Sequence, residues 1–151
     1  MNIASVLARK GPKVVTVRPE QTVRQALRLL SDHNIGALVV VDAHVRPVGI
    51  VSERDVVREG ARNERVFDQT VGTLMTRDVV LGTPGDDLAA VGATMTERRI
   101  RHLPVVDGGR LVGMVSIGDV VKAQRDQYQG EVDTLQLQLL QPPVTPAARA
   151  G

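Results

Sequence analysis

Two seven-residue stretches hold the residue types best placed to do chemistry in this chain of 151 residues. Gly49-Ile50-Val51-Ser52-Glu53-Arg54-Asp55 comes back as Gly113-Met114-Val115-Ser116-Ile117-Gly118-Asp119. Each copy closes an apolar strand and sets a serine and an aspartate three residues apart where a helix should begin. Ser-x-x-Asp before an apolar helical run is first a capping signature. The serine oxygen accepts from the N–H of the third helical residue, and the carboxylate reaches back to the N–H of the cap. One copy needs no more than that. Two copies at matching strand-to-helix junctions form a repeat and require one explanation.

Composition narrows the chemistry further. The chain has no cysteine, which excludes a disulfide framework, a thiolate metal site and a cysteine nucleophile. Its three histidines, His33, His44 and His102, do not pair at helix-face spacing, so no histidine-based metal site is expected. The net charge is only +2, with 16 Arg against 3 Lys. One Tyr, one Phe and no Trp leave no aromatic platform for stacking single-stranded nucleic acid. The basic run Arg98-Arg99-Ile100-Arg101 is short and reads as a solvated helix end. No apolar run reaches membrane length and no signal-peptide pattern opens the chain. A soluble, cytoplasmic protein is expected, with no nucleic acid and no membrane as partner.

The elements that must position the two motifs repeat with them. Ile3 to Leu7 reads as a helical turn ended by Gly11-Pro12, and Val14-Val15-Thr16-Val17 as a short buried strand stopping at Pro19. Thr22-Val23-Arg24-Gln25 is a capping box. It opens a helix with Val23, Ala26, Leu27, Leu29 and Leu30 on one broad face, closed by Asn34 and Gly36. Ala37 to Val41 is a fully buried strand. A turn then leads to Val48-Gly49-Ile50-Val51, followed by Ser52, Asp55 and a short helix, which gives β-α-β-β-α. After a polar linker over residues 61–70, Val71, Leu74 and Met75 repeat the opening turn and Val79-Val80-Leu81 the first strand. Pro84 stands 65 residues after Pro19, Ile100 stands 65 after Ile35, and Gly113 stands 64 after Gly49. Asp87 caps the second long helix in place of Thr22, with Leu88, Val91 and Met95 at helical spacing. Two copies of one supersecondary unit should therefore pack on each other about a pseudo-twofold axis, since neither buries both faces of its small sheet alone.

Beyond Asp119 the helix should run on. Val121, Tyr128, Val132, Leu135 and Leu139 fall on a heptad-like stripe, weakened locally by Gly130 and stopped by Pro142-Pro143. Such a helix either docks on its own domain or forms a dimer seam. The dimer is the expectation, because too little chain remains to cover the stripe. The chain divides into a first repeat (1–60), a linker (61–70), a second repeat (71–125), a C-terminal helix (126–141) and a disordered tail (142–151).

With the repeat laid out, the sequence resembles a tandem pair of cystathionine-β-synthase (CBS) domains, the arrangement called a Bateman module. The matching residues are the strands ending at Pro19 and Pro84, Ile35-Gly36-Ala37-Leu38 with Ile100-Arg101-His102-Leu103-Pro104, and the two Gly-x-x-Ser-x-x-Asp segments. They span about residues 2–125, and the likeness is strongest to small bacterial CBS-pair proteins that carry no catalytic domain. The resemblance implies two clefts between the repeats that bind adenosine nucleotides: AMP foremost, with ADP, ATP or NAD(H) as the other candidates. It also implies that the motif aspartate takes the ribose hydroxyls, that the serine and helix N-terminus face phosphate, and that adenine lies between apolar residues of both repeats. Carried over by position, the first cleft uses Ile50, Ser52, Arg54 and Asp55, with Val80, Arg101, His102 and Pro104 from the second repeat. The second uses Met114, Ser116 and Asp119, with Val15, Gly36 and Ala37 from the first. His102 on an apolar strand is equally readable as a structural histidine. Because Arg101-His102 faces Gly36-Ala37 in the pattern, and Arg54 faces Gly118, the two clefts are expected to be unequal.

The expected function is that of a regulatory sensor of adenosine nucleotides, working as a homodimer and acting on an enzyme the sequence does not identify. A structural dimer module with empty clefts is the main alternative, and a nucleic-acid-binding regulator is a further one. An enzyme is not expected. Ser116 sits at a strand-to-helix turn like a nucleophile elbow, but its leading glycine is displaced by one and no histidine follows it in the chain.

Overall fold

The computed structural model describes residues 1–141, so the tail expected to be disordered lies outside the described residues. The first repeat contains α1 (Ile3–Lys10), β1 (Thr16–Val17), α2 (Val23–His33), β2 (Ala37–Val41), β3 (Pro47–Ser52) and α3 (Glu53–Gly60). The second contains α4 (Val71–Leu74), α5 (Leu88–Arg98), β4 (His102–Asp107), β5 (Arg110–Ser116) and α6 (Ile117–Leu140). The architecture is the α/β pair of β-α-β-β-α repeats followed by a long C-terminal helix. In the first sheet β1 pairs parallel to β2, and β2 antiparallel to β3. In the second, β4 and β5 form an antiparallel pair.

The local signals act where the residue types place them. Thr22 and Gln25 close the capping box of α2, and Asn34 ends that helix in the left-handed conformation at φ 52°. Arg99 takes the same role after α5 at φ 54°, a conformation that costs a side chain with a Cβ more than it costs glycine. All five residues of β2 are buried.

One expected strand does not form. Val79-Val80-Leu81 runs as irregular chain, and its parallel pairing with β4 is reduced to a bridge between Gly82 and Val105. The bridge keeps two hydrogen bonds, Gly82 N–H to the Pro104 carbonyl and Val106 N–H to the Gly82 carbonyl, both 2.9 Å. A Cβ on residue 82 would lie 2.5 Å from a Leu103 methyl and 2.9 Å from an Ile3 methyl, so any side chain here would have to displace two buried apolar tips. Residues 61–70, polar in sequence, hold a 3-10 turn (Val66–Asp68) whose Val66 is buried with Val23 and Val56.

The packing holds a feature that the linear pattern hides. The opening helices are exchanged between the repeats. Ile3 and Val6 of α1 are buried with Leu88, Val91, Met95, Leu103, Val105, Val115 and Val120 of the second repeat. Val71 and Met75 are buried with Val17, Ala26, Leu30, Leu38, Val40 and Val51 of the first. Backbone hydrogen bonds fix the exchange in matched pairs. Ile3 N–H donates to the Asp86 carbonyl (3.0 Å) as Val71 N–H does to Gln21 (2.8 Å), and Ala4 donates to Pro84 as Gly72 does to Pro19, both 2.9 Å. Each repeat therefore completes its core with chain from the other, which joins the two into one unit by apolar burial.

Candidate functional site

Both serine–aspartate motifs fold as reciprocal caps. At α3, Asp55 N–H donates to Ser52 Oγ (3.3 Å), while Asp55 Oδ2 accepts from Ser52 N–H (2.8 Å) and from Ser52 Oγ (3.0 Å). At α6, Asp119 N–H donates to Ser116 Oγ (3.1 Å) and Asp119 Oδ2 accepts from Ser116 N–H (2.9 Å). The capping duty occupies one carboxylate oxygen at each end, and Oδ1 of Asp55 makes no hydrogen bond among the described residues. A cap and a ligand site are thus compatible at this aspartate.

The two motifs stand in different surroundings. Asp55 lies on a cavity of about 640 Å³ between the repeats, within the size range of small-molecule sites. Ile50, Ser52 and Arg54 line it from the first repeat, and Val80, Arg101 and His102 from the second. Seven of the eight residues carried over to the first cleft therefore meet in one cavity. Pro104 does not line it and lies buried within β4. Gly36, carried over to the second cleft, lines this cavity, and Ala37 beside it is buried. Val15 packs on the first repeat's core.

Further residues of the wall were not assigned to a cleft from the sequence, among them Arg58, Asp78 and Arg99, the last read there as part of a solvated helix end. Arg58 could have been: it follows Arg54 by four residues and so shares its helix face. Arg99 could not, since its place depends on the left-handed turn that ends α5. Arg54, Arg58, Arg99 and Arg101 put four guanidinium groups around the cavity, none in an ion pair among the described residues. Three carboxylates, Glu53, Asp55 and Asp78, share the wall, so opposite charges are available to different parts of one ligand.

Asp119 meets a cation instead. Lys10, the last residue of α1, places Nζ 2.6 Å from Asp119 Oδ2 and 2.9 Å from the Met114 carbonyl oxygen. Burial pushes the Asp119 carboxyl up, but the Lys10 ammonium and the Ser116 amide outweigh it and hold the group below the usual aspartate value. His102, paired in register with Ser116, lies between the two motifs. Burial lowers its tendency to protonate, and Lys10 and Arg101 add to that effect while Asp119 opposes it.

No three metal-ligating side chains stand together so as to hold a metal ion among the described residues, and no helix there is long and apolar enough to cross a membrane. Along α6, Val121, Tyr128, Leu135 and Leu139 of the heptad-like stripe are exposed and Val132 is partly so.

Comparison with known proteins agrees with this architecture. The chain matches the CBS domain twice, over residues 6–62 and 71–126. It is 34% identical to the CBS domain-containing protein YhcV of Bacillus subtilis over 122 residues, covering 81% of this chain and 86% of that protein. A crystal structure of a CBS-domain-containing protein from Agrobacterium tumefaciens superposes with a TM-score of 0.78 at 41% identity, covering 82% of this chain and 99% of that one. The CBS domain pair of protein MJ0100, solved in complex with 5′-methylthioadenosine and S-adenosyl-L-methionine, superposes at 0.76 with 26% identity, covering 84% and 98%. Two matched repeats, each completing the other's core and each carrying its capped Ser-x-x-Asp, make this chain a member of the CBS-domain family, with its two CBS domains in tandem.

Proposed function

We propose that the protein is a non-catalytic regulatory module that binds an adenosine nucleotide in the first cleft. The observation that carries this reading is the single cavity on which Ser52 and Asp55 meet Val80, Arg101 and His102 of the other repeat. Oδ1 of Asp55 is the acceptor for the ribose hydroxyls, and Ile50 and Val80 are the apolar surfaces for adenine. The N-terminus of α3 and the arginines attract phosphate through the helix dipole and formal charge. The adenosyl ligands of the MJ0100 pair support the class of ligand. AMP is the first candidate, ahead of ADP, ATP and NAD(H). The reading places the module in the cytoplasm, where such ligands report energy or redox state to a regulated enzyme. It also takes a second copy of the chain as partner, with the stripe on α6 contributing to the seam.

The test is calorimetric titration of nucleotide-free protein with AMP, ATP, NADH and 2′-deoxy-AMP, repeated on Asp55→Ala. Losing one charge-assisted hydrogen bond costs about 1.5–3 kcal/mol, so the deoxy ligand should bind roughly 10- to 100-fold more weakly. Asp55→Ala should lose binding to the same degree or more. No binding by any of these ligands would leave a structural module with two capped helices and an empty cavity.

A further inference from the structure

We infer that Lys10 is a built-in latch on the second cleft, so that the protein offers one ready nucleotide site and holds the other closed. This rests on the nucleotide-binding reading above and adds to it which motif is available. The position of the Lys10 ammonium carries it. It lies on Asp119 Oδ2 at 2.6 Å and on the Met114 carbonyl at 2.9 Å, across 109 and 104 residues of sequence. Asp119 is the counterpart of Asp55, and Met114 of Ile50. A single internal cation therefore neutralises, through its capping oxygen, the carboxylate that a ribose would need, and also takes a backbone acceptor on the wall where adenine would lie.

The cause lies in the lengths of the exchanged helices. At the first sheet α4 stops at Leu74, and the chain after it forms a single antiparallel bridge. Thr76 exchanges two backbone hydrogen bonds with Ile50, at 2.8 and 3.0 Å, which satisfies the Ile50 carbonyl without any side chain. The residues that follow, including Asp78, line the open cavity. In the second repeat α1 continues as helix to Lys10, one turn beyond the point where α4 ends by the matched hydrogen bonds. Its backbone is spent on helical bonds, so only a long side chain can reach the Met114 carbonyl, and lysine does. Arg9 reinforces the placement with a 3.4 Å ion pair to Asp126 of α6. The Lys10–Asp119 pair keeps 37% and 23% side-chain exposure, which leaves it reachable by solvent and open to displacement. A pair of this kind is weak enough to yield to a competing ligand at a cost, rather than seal the site permanently.

The experiment titrates AMP and ATP into six proteins: the parent, Asp55→Ala, Asp119→Ala, Lys10→Met, Lys10→Arg and Lys10→Met/Asp119→Ala. Methionine keeps an unbranched stem and removes the ammonium with its charge, and thermal melts confirm that each variant is folded. The expected result is one equivalent bound by the parent, lost with Asp55→Ala and kept with Asp119→Ala. Lys10→Met should bind a second equivalent, at least tenfold tighter than any second event in the parent, and the double variant should lose it. Lys10→Arg should remain at one equivalent. Two equivalents in the parent, or no second equivalent in Lys10→Met, overturns the latch and leaves the reading of the first cleft intact. Binding to neither the parent nor Lys10→Met overturns the reading and the latch with it. A carboxyl titration of Asp119 by NMR gives a check without nucleotide: its midpoint must rise in Lys10→Met, and an unchanged midpoint overturns the ion pair itself.

Discussion

At the first cleft a capped aspartate borders an open cavity, whereas at the second an equally capped aspartate holds a lysine ammonium. The local sequence is nearly the same, and so are the caps: Ser52 and Asp55 bond one another as Ser116 and Asp119 do. What differs is the chain that each repeat receives from the other. A four-residue helix followed by an extended segment arrives at the first sheet, and an eight-residue helix ending in Lys10 arrives at the second. Pseudo-symmetry thus delivers two equivalent motifs, and the exchanged segments make them inequivalent. In a duplicated fold, the availability of a site is decided by its neighbours more than by the motif that marks it.

The largest expected effect comes from breaking the exchange itself. Ile3 lies near the chain start but is fully buried in the second repeat's core. Ile3→Ala should lower stability by about 2–5 kcal/mol in urea denaturation. Hydrogen exchange should show the loss of protection concentrated in β4 and β5 rather than in β1 to β3. Equal loss in both sheets would mean that the two cores open as one cooperative unit.

A smaller contrast separates the two motif glycines. A Cβ on residue 49 would meet the Met75 sulfur at 2.6 Å and the Thr76 carbonyl oxygen at 3.0 Å. On residue 113 it would meet only the Leu7 side chain, at 2.6 Å and beyond. A leucine tip can turn aside, but a carbonyl held in a backbone bridge cannot do so without breaking that bridge. Gly49→Ala should therefore cost about 1–3 kcal/mol by overpacking, and Gly113→Ala less, as read by chemical denaturation of the pair. The reverse order would show that the α1 contact is the more rigid of the two.

The smallest effect concerns His102, which stands where the first repeat has Ala37. Burial, aided by Lys10 and Arg101, holds its ring below the ordinary value of 6.5 in the folded protein. Below about pH 6.5 the unfolded chain takes up this proton before the folded one does. The stability contributed by the neutral ring is therefore complete above that value and is lost as pH falls toward the folded value. Between about pH 7 and pH 5, the denaturation midpoint should fall more steeply in the parent than in His102→Ala. Parallel slopes would mean that the ring titrates alike in both states.

Much of this fold was legible because its signals are local. The capping boxes at Thr22, Ser52 and Ser116, the buried run Ala37–Val41 and the 65-residue spacing of Pro19 and Pro84 each depend on residues close in sequence. The first cleft was legible for a related reason: a repeated motif marks its own counterpart, and the resemblance to CBS pairs supplied the facing residues Val80, Arg101 and His102. The strand expected at Val79–Leu81 failed because β-branched residues favour extended chain without guaranteeing a partner, and here the pairing survives at Gly82 alone.

The sequence by itself determined the duplication, the β-α-β-β-α order, the caps and the motif residues, since each follows from propensity or periodicity over a few residues. Only the tertiary structure decided which core each opening helix completes, where Arg99 turns its chain, and that Lys10 reaches Asp119. Those outcomes depend on contacts across as many as 117 residues, where an apolar helical turn fits either of two similar cores and a single lysine looks like any other surface cation.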